Sequence, residues 1–227
     1  TLPALTANRE RVIALVLRYG LVTVAAAHRR VCPDTTADNA ARLLDALVEC
    51  GWLRRHPAGN AAHYYLLSPA AAFRLNRHRR VAVPPGYHAL VRNYGMLAGC
   101  VKLGVDKFTA AEWRQQFAEL CPPGARQNGY YLDHSDPARP VIGWLHVDSG
   151  QDRFRLIGKL KSEIRHRYDR GAFEQCVRAG RFLLTVLTPS EGKREDLLRA
   201  FRDRLRGPTR FRVEVVEELQ PLLIGDQ

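Results

Sequence analysis

The stretch TTADNAARLLDALVECGWLRRHPAGNAAHYYLL, residues 35–67, decides the reading of the fold. Thr35 and Asp38 stand at the spacing of a capping box, in which a hydroxyl and a carboxylate satisfy amides that the first helical turn leaves open. Leu43, Leu44, Leu47 and Val48 then recur on one face of a helix that Gly51 ends. Trp52-Leu53-Arg54-Arg55 reads as a strand, Pro57-Ala58-Gly59-Asn60 as a turn, and His63-Tyr64-Tyr65-Leu66-Leu67 as a second strand.

Toward the N-terminus, residues 8–19 form an apolar stripe at helical spacing (Val12, Ile13, Leu15, Val16, Leu17), closed by Gly20. Residues 23–30 read as a second helix with Thr23 as its N-cap, interrupted after it by Pro33. Three helices followed by a hairpin is the order of a winged helix, expected here within residues 5–67 and expected to bind double-stranded DNA.

Toward the C-terminus, Ser68-Pro69 opens a further helix reaching about Arg77. Residues 79–86, ending Pro84-Pro85-Gly86, read as a linker. Helices follow at 87–103 and 109–119, strands at 130–133 and 141–147, and a long helix at 154–179. A strand at 182–187, a helix at 190–205 and a strand at 211–216 complete the chain. Strands alternating with helices predict an α/β domain. The expected class is therefore mixed α/β (α+β), divided into a winged helix-turn-helix domain at 1–78, a linker at 79–86 and an α/β domain at 87–227.

Composition narrows the partners. Lys and Arg number 35 against 23 Asp and Glu, a formal net charge of +12. Residues 1–86 hold twelve arginines, no lysine and five acids (Glu10, Asp34, Asp38, Asp45, Glu49), 12 − 5 = +7. A basic balance favours a polyanion, and arginine suits bidentate phosphate and guanine contacts. The same balance also describes a basic protein with a solvated surface. Five cysteines (Cys32, Cys50, Cys100, Cys121, Cys176) form no CxxC pair, which argues against a disulfide framework and a structural zinc site. With no signal peptide and no bilayer-length apolar run, the expected home is the bacterial cytoplasm, at the nucleoid, with no membrane partner.

In a helix-turn-helix the second helix of the pair enters the major groove, here about residues 36–50. Opposite its leucine face stand Asn39 and Arg42, three apart and on one side. Asn pairs bidentately with adenine and Arg with guanine, so these two are the candidate base readers. Arg29, Arg30, Thr35 and Thr36 are candidate phosphate contacts. Arg54, Arg55 and His56 are candidate wing contacts. Each of these also has a plain reading as a solvated surface residue, strongest for His56 and His63.

These residues resemble the replication-relaxation family of plasmids and integrative elements. The pattern runs from Leu5-Thr6-Ala7-Asn8-Arg9 through residues 43–55 to Tyr64-Tyr65-Leu66-Leu67-Ser68-Pro69-Ala70. Further on, His88-Ala89-Leu90-Val91-Arg92-Asn93 is similar to the family's His-x-Leu-x-x-Asn helix. Trp144-Leu145-His146-Val147-Asp148-Ser149-Gly150 is similar to its strand ending in acids, and Lys159 and Tyr168 sit on the helix that follows. The resemblance implies a winged-helix DNA-binding protein of a mobile genetic element, concerned with replication, relaxation, transfer or transcription regulation.

The C-terminal part also resembles, in element order, a restriction-endonuclease-like core. Such a core needs acids on adjacent strands to hold Mg²⁺ and a lysine to activate water. Asp133, Asp148 and Lys159 would be the catalytic set, with Mg²⁺ as cofactor. His146 stands where a second carboxylate belongs, so the core reads as degenerate. Otherwise no cofactor and no metal are expected. His134, Asp136, His146 and Asp148 include metal-ligand residue types, at a spacing that demands no metal. The sequence lacks His-x-His, GxSxG and HExxH, and Gly192-Lys193-Arg194 lacks the rest of a phosphate loop. The expected activity is non-enzymatic, sequence-specific DNA binding by a homodimer that works with other DNA-processing or transcription proteins. The alternatives are a Mg²⁺-dependent nuclease targeted by a winged helix, and a protein-interaction adaptor.

Overall fold

Thr36, one residue later than the sequence spacing suggests, caps the third helix, its hydroxyl accepting from the Asn39 amide at 3.3 Å. The Thr35 hydroxyl instead donates to the Cys32 carbonyl at 2.9 Å and shapes the turn before it. The computed structural model describes residues 2–59, 62–120, 128–136, 138–168, 171–204 and 209–224. The protein is mixed α/β with two sheets and divides into two compact units, residues 1–101 with 221–227, and 102–220.

In the first unit α1 (Ala7–Tyr19) ends at Gly20, whose φ of 81° is the left-handed turn that favours glycine. The helix α2 (Val24–Val31) starts where the Thr23 hydroxyl accepts from the Ala26 amide. After α3 (Ala37–Glu49), the strands β1 (Leu53–Pro57) and β2 (His63–Leu67) pair antiparallel, Leu53 opposite Leu67 and Pro57 opposite His63. Val22 adds a one-residue bridge to Tyr65, exchanging backbone hydrogen bonds of 3.0 and 2.9 Å. Val12, Ile13, Ala27, Leu44, Leu47 and Leu66 are buried in this unit. The helix α4 (Pro69–Arg74) is shorter than expected, ending before Arg77.

Residues 79–82 form a 3-10 turn with Ala82 buried, so much of the expected linker is structured. Pro84-Pro85-Gly86 separates that turn from α5 (Tyr87–Leu103), and the division between units falls inside this helix, after Val101.

In the second unit α6 (Ala110–Gln116) begins with a complete capping box between Thr109 and Glu112. The strands β3 (Tyr130–Asp133), β4 (Val141–Val147), β5 (Phe182–Thr188) and β6 (Arg210–Val215) lie in that order, β3 antiparallel to β4 and the other pairs parallel. Of the single long helix expected at 154–179, the described residues form α7 (Arg153–Tyr168) and α8 (Gly171–Arg178), and 169 and 170 lie outside them. Leu156, Ile157, Leu160 and Ile164 of α7 and Phe173 of α8 are all buried. Phe173 follows Ile164 by nine residues, about half a turn out of phase at 3.6 residues per turn, so one straight helix cannot bury both sets. The helix α9 (Glu191–Arg204) links β5 to β6.

The core takes the even-numbered residues of β4 and β5, namely Ile142, Trp144, Phe182, Leu184 and Val186. Both parallel connections run the same way along the sheet, and right-handed crossovers then place their helices on one face. Phe173, Val177, Leu197 and Phe201 pack there, and Trp113 of α6 stacks on Tyr130 at 4.0 Å. No helix among the described residues is long and apolar enough to cross a membrane.

Candidate nucleic-acid interface

The caps and leucines of α3 decide what it displays. Ala40, Leu44 and Leu47 are buried, which turns Asp38, Asn39 and Arg42 to solvent together with Thr35 and Thr36. The turn before α3 is pinned by His28, whose Nε2 lies 2.8 Å from the Thr35 carbonyl. Asn39 offers both a donor and an acceptor, and Arg42 a planar fork of donors. Arg42 is the only cation on α3, which also carries Asp38, Asp45 and Glu49. Asp38 lies in the first turn, where the helix dipole favours a carboxylate.

The hairpin sorts the three expected wing residues. Arg54 is exposed. Arg55 is exposed too, but its guanidinium lies 3.7 Å from Asp45 of α3, so it partly neutralises that helix. His56 is half-buried and stacks on Tyr64 at 5.5 Å. Burial, followed by the charge of Arg54, lowers its pKa. Asn60 lies outside the described residues. At the end of α2, Arg29 is exposed and Arg30 half-exposed. Tyr64 and Tyr65 are buried core residues.

The second unit does not bring its expected acids together. Asp133 pairs with Val141 at the start of β4, whereas Asp148 follows Val147 at its end. Seven residues at about 3.3 Å each place them about 23 Å apart along the strand. Asp133 accepts from the Ser135 amide and hydroxyl and lies 3.1 Å from the Arg212 guanidinium. Burial raises its pKa, but those bonds and that charge outweigh it and hold the carboxyl below its usual range. Asp148 is fully buried and pairs with the Lys193 ammonium of α9 at 2.9 Å. Lys159 is exposed on α7 and acts electrostatically on His146. His134 and Asp136 are exposed beyond β3, while His146 and Asp148 belong to the far end of β4. No group of three His, Cys, Asp or Glu among the described residues could hold a metal ion. Cys32, Cys50 and Cys176 are free thiols, Cys100 is buried, and Cys121 lies outside the described residues.

Two polar clusters escape sequence reasoning. On the sheet face away from the core, Arg212 of β6 donates to the Tyr131 hydroxyl at 2.7 Å, which meets Thr185 of β5 at 2.7 Å. The alternation Arg210-Phe211-Arg212-Val213-Glu214 is a signal for that polar face. On the core face, the buried Arg167 donates to the Tyr130 hydroxyl at 2.7 Å and lies over the Trp144 ring at 4.2 Å. Helical spacing is the signal that could have found it, because Arg167 follows Ile164 by three and Leu160 by seven residues on the buried face, while Arg165 and His166 fall off that face. Compared with known proteins, the chain matches no family model, no curated protein and no solved structure.

Proposed function

We propose that this protein binds duplex DNA sequence-specifically through a winged helix in its first unit. The observation that carries the reading is the exposed start of α3, where Thr35, Thr36, Asn39 and Arg42 stand opposite the buried Ala40, Leu44 and Leu47. Support comes from the order of three helices and an antiparallel hairpin, with the Val22–Tyr65 bridge joining the segment between α1 and α2 to that hairpin. The excess of arginine over acid in residues 1–86 supports a polyanionic partner. In this reading Arg42 and Asn39 meet base edges, Arg29, Arg30, Thr35 and Thr36 meet phosphates, and Arg54 and Arg55 reach the flanking backbone. The protein acts as a homodimer in transcription regulation or as an accessory factor in mobile-element replication, relaxation or transfer. That role rests on the resemblance to the replication-relaxation family.

Selection of bound sequences from a random duplex library tests the reading. An enriched palindrome is expected, with affinity falling as salt rises. Arg42→Ala is expected to weaken the selected site by about tenfold or more, with relaxed preference at one base pair. Binding to no duplex at low salt, or an Arg42→Ala protein with unchanged preference, refutes it.

A further inference from the structure

The solvent face of α7 in the second unit is strongly cationic. Leu156, Ile157, Leu160 and Ile164 face the core, which leaves Arg155, Lys159, Lys161 and Arg165 exposed. The α7 carboxylate is Glu163, half-buried and paired with Arg167 at 3.5 Å, so it does not offset that face. Asp152, just before the helix, is occupied in accepting the amides of Phe154 and Arg155 at 2.9 and 3.3 Å.

A charged helix face is by itself ordinary, and so is a single exposed apolar residue. Two further features set this one apart. The Phe154 ring stays 46% exposed although the guanidinium carbons of Arg153 and Arg204 lie 4.7 and 4.5 Å from its centre. The two guanidiniums lie over the ring, so guanidinium planes and exposed ring edge together are the platform a nucleobase would meet. Gly158 occupies the middle of the same face, and a Cβ added there would meet nothing within 4 Å. Packing therefore does not demand a glycine that weakens the helix interior. The missing side chain leaves room there for close approach of another molecule's backbone.

We propose that the exposed face of α7 is a contact surface for a single nucleic-acid strand, its phosphates held by Arg155, Lys159, Lys161 and Arg165 and one base packed against Phe154 and its flanking arginines. A single strand is favoured over a duplex because the platform needs an unpaired base face. This surface belongs to the second unit, and the proposal stands whether or not α3 reads DNA.

The test is fluorescence anisotropy of the full chain with labelled oligothymidylate of about 30 nucleotides, long enough for a strand-tracking site, at several salt concentrations. Combining Arg155→Ala, Lys161→Ala and Arg165→Ala is expected to weaken binding by about tenfold or more. It is also expected to flatten the salt dependence by about two units of slope, at about 0.7 per lost contact. Phe154→Ala is expected to weaken binding about fivefold with the slope unchanged, and Phe154→Trp to keep wild-type affinity. All the variants tested lie on α7, so failure of the α3 reading leaves this result unaffected. The altered side chains are exposed, and a melting temperature equal to wild type verifies folding. Absence of wild-type binding at low salt overturns the proposal. So does a triple variant with wild-type affinity and slope, a loss confined to duplex DNA, or a Phe154→Ala protein that binds as wild type.

Discussion

The His146 imidazole is held neutral. Burial first, then the charges of Lys159 and Arg167, lower its pKa from 6.5 to about 4. Between those two values the unfolded chain binds a proton that the folded chain does not. Stability attributable to His146 is therefore complete above about pH 6.5 and is lost as pH falls toward 4, by up to about 3 kcal/mol. Urea titrations across that window are expected to show the loss in wild type and a flatter profile in His146→Gln. An equally steep profile in the variant contradicts the assignment. Asp133 titrates elsewhere, because its depressed carboxyl lets its contribution fade only below the ordinary value of 3.8.

At the scale of elements, β3 and β4 fit because Gly143 leaves room for the Tyr131 ring. The two residues are register partners, and a Cβ on Gly143 would overlap Tyr131 Cζ and Cε1. The ring thereby lies across β4 and places its hydroxyl between Thr185 and Arg212. Gly143→Ala is expected to destabilise by about 2 kcal/mol or more, as overpacking of a closed core does. In a Tyr131→Ala background the same substitution is expected to cost less than about 1 kcal/mol, since the clash is gone. Equal costs in the two backgrounds, by urea denaturation, contradict this account.

At the scale of the molecule, the sheet order sets what the acids can do. Because β3 runs antiparallel to β4, Asp133 and Asp148 fall at opposite ends of that pair. A metal joining them would have to bridge about 23 Å, far beyond the 2.0–2.6 Å reach of a carboxylate oxygen on a hard cation. Supercoiled plasmid incubated with the protein and Mg²⁺ is therefore expected to remain intact. Cleavage that disappears in Asp148→Ala refutes this. Lys193 answers the Asp148 charge from α9 at 2.9 Å, which makes that residue part of the fold's own electrostatics.

Sequence by itself determined the mixed α/β class, the order of elements and most of their limits. Caps, glycines and apolar periodicity are local signals, acting within one or two turns, and Thr23, Gly20, Thr109 and the α3 leucines were all legible in that way. It also determined which face of α3 is buried, hence that Asn39 and Arg42 are displayed. Tertiary structure alone decided what depends on register and on distant partners. It separated Asp133 from Asp148, paired Arg55 with Asp45, and turned His56 onto Tyr64. It also gave the buried Arg167 its partners Tyr130 and Trp144. Residue type and spacing carry no information about those contacts, because each joins segments whose separation only the folded sheet and its crossovers define.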